Sequence, residues 1–147
     1  MYPKVYTAGY GLQAIRLTTP LPQGGVLPLF QVVRGVVYIL SLLGVVHDAI
    51  GPAANSTKFQ AHPQGQAAVD MCSTNNIASL PPGAIVSLTG ERSDGLQTGF
   101  ADALMAIPWR LTTGTIDLSC NGASPGSLRW VIEWAPLVPG SYLQVAP

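Results

Sequence analysis

Histidines and carboxylates are the residues of this sequence that could do acid–base chemistry, and their spacing groups none of them. Neither His47 nor His62 has a second histidine at a metal-binding spacing. Asp48 follows His47, but neighbouring residues of a strand point to opposite faces, so this pair indicates a turn or a surface. The carboxylates lie apart: Asp48, Asp70, Glu91, Asp94, Asp102, Asp117 and Glu133. We predict no enzyme and no metal or other cofactor. A pocket uniting a histidine with a carboxylate would favour the alternative, a small hydrolase or isomerase.

Nucleotide and zinc motifs are also missing from the sequence. There is no Gly-Lys-Ser/Thr phosphate loop, and the glycines of Gly9 to Gly11 do not continue as a dinucleotide fingerprint. Cys72 and Cys120 are far apart and belong to no Cys-x-x-Cys motif. We predict two buried free thiols, with a structural disulfide as the alternative.

The charge content points to a protein partner and away from nucleic acid. Only 10% of the residues are charged, and seven basic side chains balance seven acidic ones. The basic residues are scattered singly, which leaves no patch for phosphate binding. A chain with so few charges has little to solvate its whole surface, so we expect a partner to cover part of it.

Glycines and prolines divide the chain into short segments typical of strands. The sequence has 16 glycines and 13 prolines, and no amphipathic helical pattern runs for three turns between them. The segment from Leu128 to Trp134 alternates apolar and polar residues and predicts a strand, preceded by another around Ile116. We predict an all-β fold, an antiparallel and jelly-roll-like β-sandwich or barrel. It comprises a single domain, residues 12–147, with an extended N-terminal arm, residues 1–11. The N-terminus lacks a signal-peptide pattern, so we expect synthesis and folding in a cytoplasm.

The longest apolar stretch runs from Gly35 to Val46 and is too short to span a membrane. It has twelve residues, whereas a membrane-spanning helix needs roughly 20. Its β-branched and aromatic residues favour a strand. We predict two strands or one bent strand, with Ser41 to Gly44 as the break or bulge. Because polar residues do not alternate with the apolar ones, both faces are expected to be covered.

Two groups of aromatic residues and one charged loop are candidate contact sites. Trp130 and Trp134 lie on one face of a predicted strand, where such a pair fills a core or an interface, with a sugar-stacking platform as the alternative. The N-terminal arm carries three tyrosines in a segment too apolar for a free arm: Tyr2, Tyr6 and Tyr10. The loop from Gly90 to Gly99 contains Arg92 and Asp94 and is predicted to be an exposed turn or a contact loop.

The order of these segments resembles small virion proteins of tailed bacteriophages. The resemblance covers roughly Arg34 to Val145: "GVVYILSLLGVVHDAIG", a variable charged loop, "GTIDLSC", a glycine-rich turn and "GSLRWVIEWAPLVPGSYL". It implies a capsid decoration (cement) protein, made in the host cytoplasm, that binds the outer surface of the major capsid protein lattice, often as a homotrimer. A receptor- or carbohydrate-binding module of a phage tail or fibre is the alternative.

The decoration hypothesis assigns two sets of contact residues and no membrane partner. The expected interface between subunits consists of apolar strand residues: Val36, Tyr38, Leu40, Leu42, Trp130 and Trp134. The expected contacts with the capsid come from the arm and the charged loop: Tyr2, Tyr6, Tyr10, Arg92 and Asp94.

Overall fold

The computed structural model describes residues 6–7, 11–101 and 105–147, and every regular element in these ranges is a β-strand. The strands are β1 (Tyr6–Thr7), β2 (Gly11–Pro20), β3 (Val26–Asp48), β4 (Ser56–Pro63), β5 (Val69–Asp70), β6 (Asn75–Asn76), β7 (Ile85–Ser87), β8 (Gln97–Gly99), β9 (Trp109–Cys120), β10 (Ser127–Pro136) and β11 (Tyr142–Val145). All ladders between them are antiparallel. The prediction of an antiparallel all-β fold is therefore confirmed.

The strands form one continuous 11-stranded sheet, and a bend in the long strand β3 divides it into two halves, each called a sheet below. The 23 residues of β3 contain two consecutive positive φ angles, 61° at Arg34 and 132° at Gly35. Before the bend, β3 pairs with the end of β9 and with β11. After the bend, it pairs with β10 on one side and with β7 and the start of β9 on the other.

The two sheets face each other as a sandwich. The first sheet comprises β11, the first half of β3, the end of β9, β4, β5 and β6; the second comprises β1, β2, β10, the rest of β3, the start of β9, β7 and β8. Phe59 of β4 and Trp130 of β10 meet edge to face between them, with ring centroids 5.7 Å apart. The main path of strand pairing ends at β1 and at β5, so the sandwich alternative is confirmed and the barrel is not.

The apolar stretch is one bent strand, but its irregularities lie before the predicted break. The bend is at Arg34 and Gly35, and a bulge lies at Leu40, because β10 pairs with Ser41 and then with Ile39. Ser41 to Gly44 continue as regular strand. The predicted location of the break was wrong. Gly44 does not interrupt the strand but leaves room for the Trp130 ring, because a Cβ at this position would lie 2.5 Å from that ring.

The N-terminal arm lies only partly within the described residues. The backbone of Tyr6–Thr7 pairs with that of Gly11 and Leu12, while Tyr2 and Tyr10 lie outside the described residues. Cys72 and Cys120 are both buried free thiols, as predicted.

Candidate functional site: an apolar outer face

The two sheets have outer faces of opposite character. Strand β4 presents Lys58, Gln60 and His62 on the outer face of the first sheet, with the buried Phe59 and Ala61 pointing into the core. The outer face of the second sheet, here called the apolar face, carries Ile15, Leu17, Val36, Tyr38, Leu40, Leu43, Val45, Ile85 and Val131, and the polar residues Gln13, Ser41, Arg129 and Glu133 lie among them. Nine apolar side chains grouped on one outer face are typical of an interaction surface.

Strand register brings the apolar face together as rows of neighbours. Val131 of β10 pairs with Ile15 on one side and with Leu43 on the other. Leu17 and Ile15 of β2 are 74% and 39% exposed, so the apolar face reaches open solvent at this strand. At the other end, the Arg110 guanidinium carbon lies 5.8 Å from the centroid of the Tyr38 ring, a cation–π distance.

Three of the six residues expected at a subunit interface lie on the apolar face, and three do not. Val36, Tyr38 and Leu40 are half-buried on it. The other three are in the chain's own core, with exposures of 1%, 1% and 0%: Leu42, Trp130 and Trp134. Those three assignments were wrong, because core side chains are not accessible to a second copy.

The bulge at Leu40 explains the error for Leu42 and also the residues that were missed. Strict alternation from Tyr38 and Leu40 puts Leu42 on the outer face. The extra residue of a bulge reverses the alternation, so Leu42 points inward and Leu43 outward. Only the register of β10 on β3 shows that Leu43 and Val45 face outward, because no sequence signal marks the bulge.

The charged loop is exposed and is tied to the segment that follows β5. The backbone N–H of Ser73 donates to the Asp94 carbonyl at 2.8 Å, and the Thr89 hydroxyl donates to the Asp94 carboxylate at 2.7 Å. Arg92 Nε donates to the Asp70 carbonyl at 3.0 Å. Arg92 and Asp94 are thus held in place at the surface, as a contact loop requires.

Asp70 lies beside this loop, in a pair with a lysine on β4. Its carboxylate accepts hydrogen bonds from Gln60 at 2.9 Å and from Lys58 at 3.0 Å. The Gln60 bond first, and then Lys58, lower the pKa of Asp70 below its ordinary value of 3.8. The carboxylate therefore stays charged across the neutral and mildly acidic range.

One histidine lies near a carboxylate. His62 Nδ1 is 3.4 Å from Oδ2 of Asp117, whose side chain is 3% exposed. Oδ1 of Asp117 has no hydrogen-bond partner. His62 also lines a shallow cleft of about 320 Å³ with Gln31, Thr113 and Thr115, but Asp117 is not part of its lining. The pair follows from the register of β4 on β9, which aligns His62 with Thr115.

Among the described residues, no three His, Cys, Asp or Glu side chains are grouped so as to hold a metal ion. Within the same ranges, no helix is long and apolar enough to cross a membrane.

No protein-family model, curated protein or solved structure matches the chain. The functional argument therefore depends on the chain's own residues.

Proposed function

We propose that the protein is a structural virion component that decorates the capsid of a tailed bacteriophage and stabilises it from outside. The observation that carries this proposal is the contrast between the apolar face on the second sheet and the polar outer face of the first. Copies of the chain cover one another's apolar faces, and the major capsid protein is the second partner. The expected assembly is a homotrimer, and the expected site is the outer surface of the virus head.

The physical basis is burial of apolar area at repeated contacts. Each square ångström of apolar surface removed from water contributes about 25 cal/mol. A particle repeats the same contact many times, so a modest affinity at each site becomes strong when several copies are linked. The charged loop supplies polar contacts to the lattice through Arg92 and Asp94, whose main chain is already fixed.

The first experiment measures mass in solution and binding to empty capsids from the same source. The wild-type chain should have the mass of an oligomer and should sediment with capsids. A monomer that never sediments with them would sink the decoration hypothesis.

A matched pair of variants tests the apolar face. Val131→Lys places a charge at the centre of the face and should shift the mass toward that of the monomer, because a buried unpaired charge is costly. Gln144→Lys places the same charge on an exposed position of β11 and should leave the mass unchanged. Equal masses for the wild type and both variants would show that the apolar face is not the subunit interface.

A second variant separates the capsid contact from the subunit contact. Arg92→Ser should weaken co-sedimentation with capsids while leaving the mass of the oligomer unchanged. The loss should be larger at low salt, since exposed charges are screened as ionic strength rises. Unchanged co-sedimentation at every salt concentration would remove Arg92 from the capsid contact.

The carbohydrate-binding alternative required an exposed Trp130–Trp134 pair. Both rings are buried in the core, so this pair offers no platform for a sugar.

A further inference from the structure

The third tryptophan, Trp109, lies in a surface cleft next to Arg92, and the proposed function assigns no role to this tryptophan. It is the first residue of strand β9. Its side chain is half-buried, whereas those of Trp130 and Trp134 are fully buried. The cleft has a volume of about 470 Å³, and the side chains around it are Glu91, Arg92, Ile107, Pro108, Trp109 and Arg110. The cleft is shallow and open to solvent, and its volume lies within the range of about 300–1,000 Å³ that is usual for small-molecule sites.

The Trp109 ring is held in place from one side. Its indole N–H donates to the Gly90 carbonyl at 2.9 Å. Gly90 has a φ of +91°, and a Cβ there would overlap the Ile107 carbonyl. The Ala106 N–H also donates to the Thr89 carbonyl at 2.9 Å, so the segments that contain Gly90 and Ile107 are hydrogen-bonded to each other. A binding surface fixed in this way loses little conformational entropy when a ligand docks on it.

The charged side chains beside the ring give the cleft a net positive charge, although the whole chain has no net charge. Arg92 and Arg110 both line the cleft, against a single carboxylate, Glu91. The Arg92 contact to the Asp70 carbonyl uses one N–H of its guanidinium, and a guanidinium has five such donors. The Arg110 guanidinium lies by the Tyr38 ring, which limits its freedom. Guanidinium groups match carboxylates in geometry, because they donate two parallel hydrogen bonds.

We propose that the Trp109 cleft binds an acidic saccharide, a sugar that carries a carboxylate. The indole face packs against the C–H groups of a sugar ring, the arginines bind its carboxylate, and Glu91 accepts hydrogen bonds from its hydroxyls. Each charged side chain then has a role. Inorganic phosphate would also bind the arginines, but it offers no sugar ring to the indole face and no ring hydroxyls to Glu91. The cleft shares Arg92 with the expected capsid contact, and its Arg110 lies against Tyr38 of the apolar face.

The test follows the three indole N–H signals by ¹⁵N NMR while trigalacturonate is added to the wild-type protein. The Trp109 signal, assigned with Trp109→Phe, should move in a saturable way with a dissociation constant on the order of 1 mM. The Trp130 and Trp134 signals should stay in place because both rings are buried. Galactotriose, the neutral counterpart, should bind at least about fivefold more weakly. An unmoved Trp109 signal, or equal binding of galactotriose or inorganic phosphate, would overturn the proposal.

Two arginine variants complete the test without disturbing the core. Arg92→Gln should weaken trigalacturonate binding at least about fivefold, and its exposed position makes a loss of folding unexpected. Arg129→Gln removes an exposed arginine of β10 outside the cleft and should bind as the wild type does. Equal binding by both variants would contradict a role for Arg92. Because capsid binding is measured separately, failure of this proposal leaves the decoration hypothesis untouched.

Discussion

At the scale of single residues, Gly44 leaves room for the side chain of a neighbouring strand. Gly44 lies in regular strand opposite Trp130, and the tryptophan ring occupies the volume that a side chain would fill. Trp130 in turn contacts Phe59 of the other sheet. One small residue therefore sets the position of the ring that joins the two sheets.

Replacing this glycine should destabilise the fold by overpacking. Gly44→Ala puts a Cβ 2.5 Å from the Trp130 ring, and we expect a loss of about 1–3 kcal/mol in the free energy of unfolding. Gly25→Ala is the control, because no atom lies within 4 Å of its added Cβ. Urea denaturation monitored by tryptophan fluorescence measures both. Equal stability of the two variants would show that Trp130 can move freely.

Asp70 gives a prediction for pH dependence. Its pKa is lowered in the folded chain, first by Gln60 and then by Lys58, so its charged form stabilises the fold. This contribution is present above pH 3.8, the ordinary value, and is lost as the pH falls through the lower folded pKa. The stability difference between the wild type and Asp70→Asn should therefore be largest near neutral pH and shrink in acid.

An NMR titration of the Asp70 carboxyl carbon tests the cause of this shift. Gln60→Ala should raise the pKa of Asp70 toward its ordinary value, because the largest stabilising hydrogen bond is removed. Gln64→Ala changes an exposed glutamine in the next turn and should leave the pKa unchanged. A titration of Asp70 that is the same in both variants would contradict the role of Gln60.

At the scale of elements, the bend in β3 creates the two sheets. The Gly35 N–H donates to the Thr113 hydroxyl at 3.2 Å, and the Ser141 hydroxyl donates to the Val36 carbonyl at 2.9 Å. These contacts bring the adjacent strand β9 and the segment before β11 to the same point. The bend is thus held by side chains from distant parts of the chain.

Substitutions at the two bend residues should differ in their effect. Gly35→Ala should reduce the free energy of unfolding by about 1–3 kcal/mol, because a φ of +132° is strained for any other residue. Arg34→Gly should change it by less than about 1 kcal/mol, since a φ of 61° suits glycine well. Thermal unfolding of both variants provides the comparison. A Gly35→Ala protein as stable as the wild type would show that the bend can relax.

Local sequence patterns were enough to predict the strands, whereas the direction in which each side chain points depends on how the strands pair. The alternation around Trp130 and the β-branched run around Val37 were enough to predict strands and an antiparallel sandwich or barrel. The bulge at Leu40 has no sequence signature, because Leu40 and Leu42 are chemically alike. Only the partner strand shows that one points outward and the other inward. The Trp109 cleft was missed for a similar reason, since Arg92 and Trp109 are distant in sequence.

At the scale of the whole molecule, two buried thiols report on the integrity of the core. Cys72 and Cys120 are free and buried, and burial raises the pKa of both thiols. Each is held by a contact to β4: the Phe59 N–H donates to Cys72 Sγ at 3.4 Å, and the Thr57 hydroxyl donates to Cys120 Sγ at 3.5 Å.

A thiol reagent should therefore distinguish folded from unfolded molecules. At pH 8 the native protein should react with dithionitrobenzoate far more slowly than the denatured protein. The denatured protein should release two equivalents of thionitrobenzoate, one for each cysteine. Because the folded thiol pKa values are raised, stability should fall as the pH rises above their ordinary value of 9.0. Rapid reaction of both thiols in the native protein would contradict this burial.

The central position of β3 also determines when the fold can form during synthesis. Its first half needs β11, residues Tyr142–Val145, and its second half needs β10, residues Ser127–Pro136. In a growing chain that has passed Asp48, the side of β3 that pairs with these two strands therefore lacks its partners until β10 and then β11 have been translated. The sandwich can close only after these last strands have been translated, and until then this side of β3 is an unpaired apolar strand edge, the kind of edge that pairs with other chains.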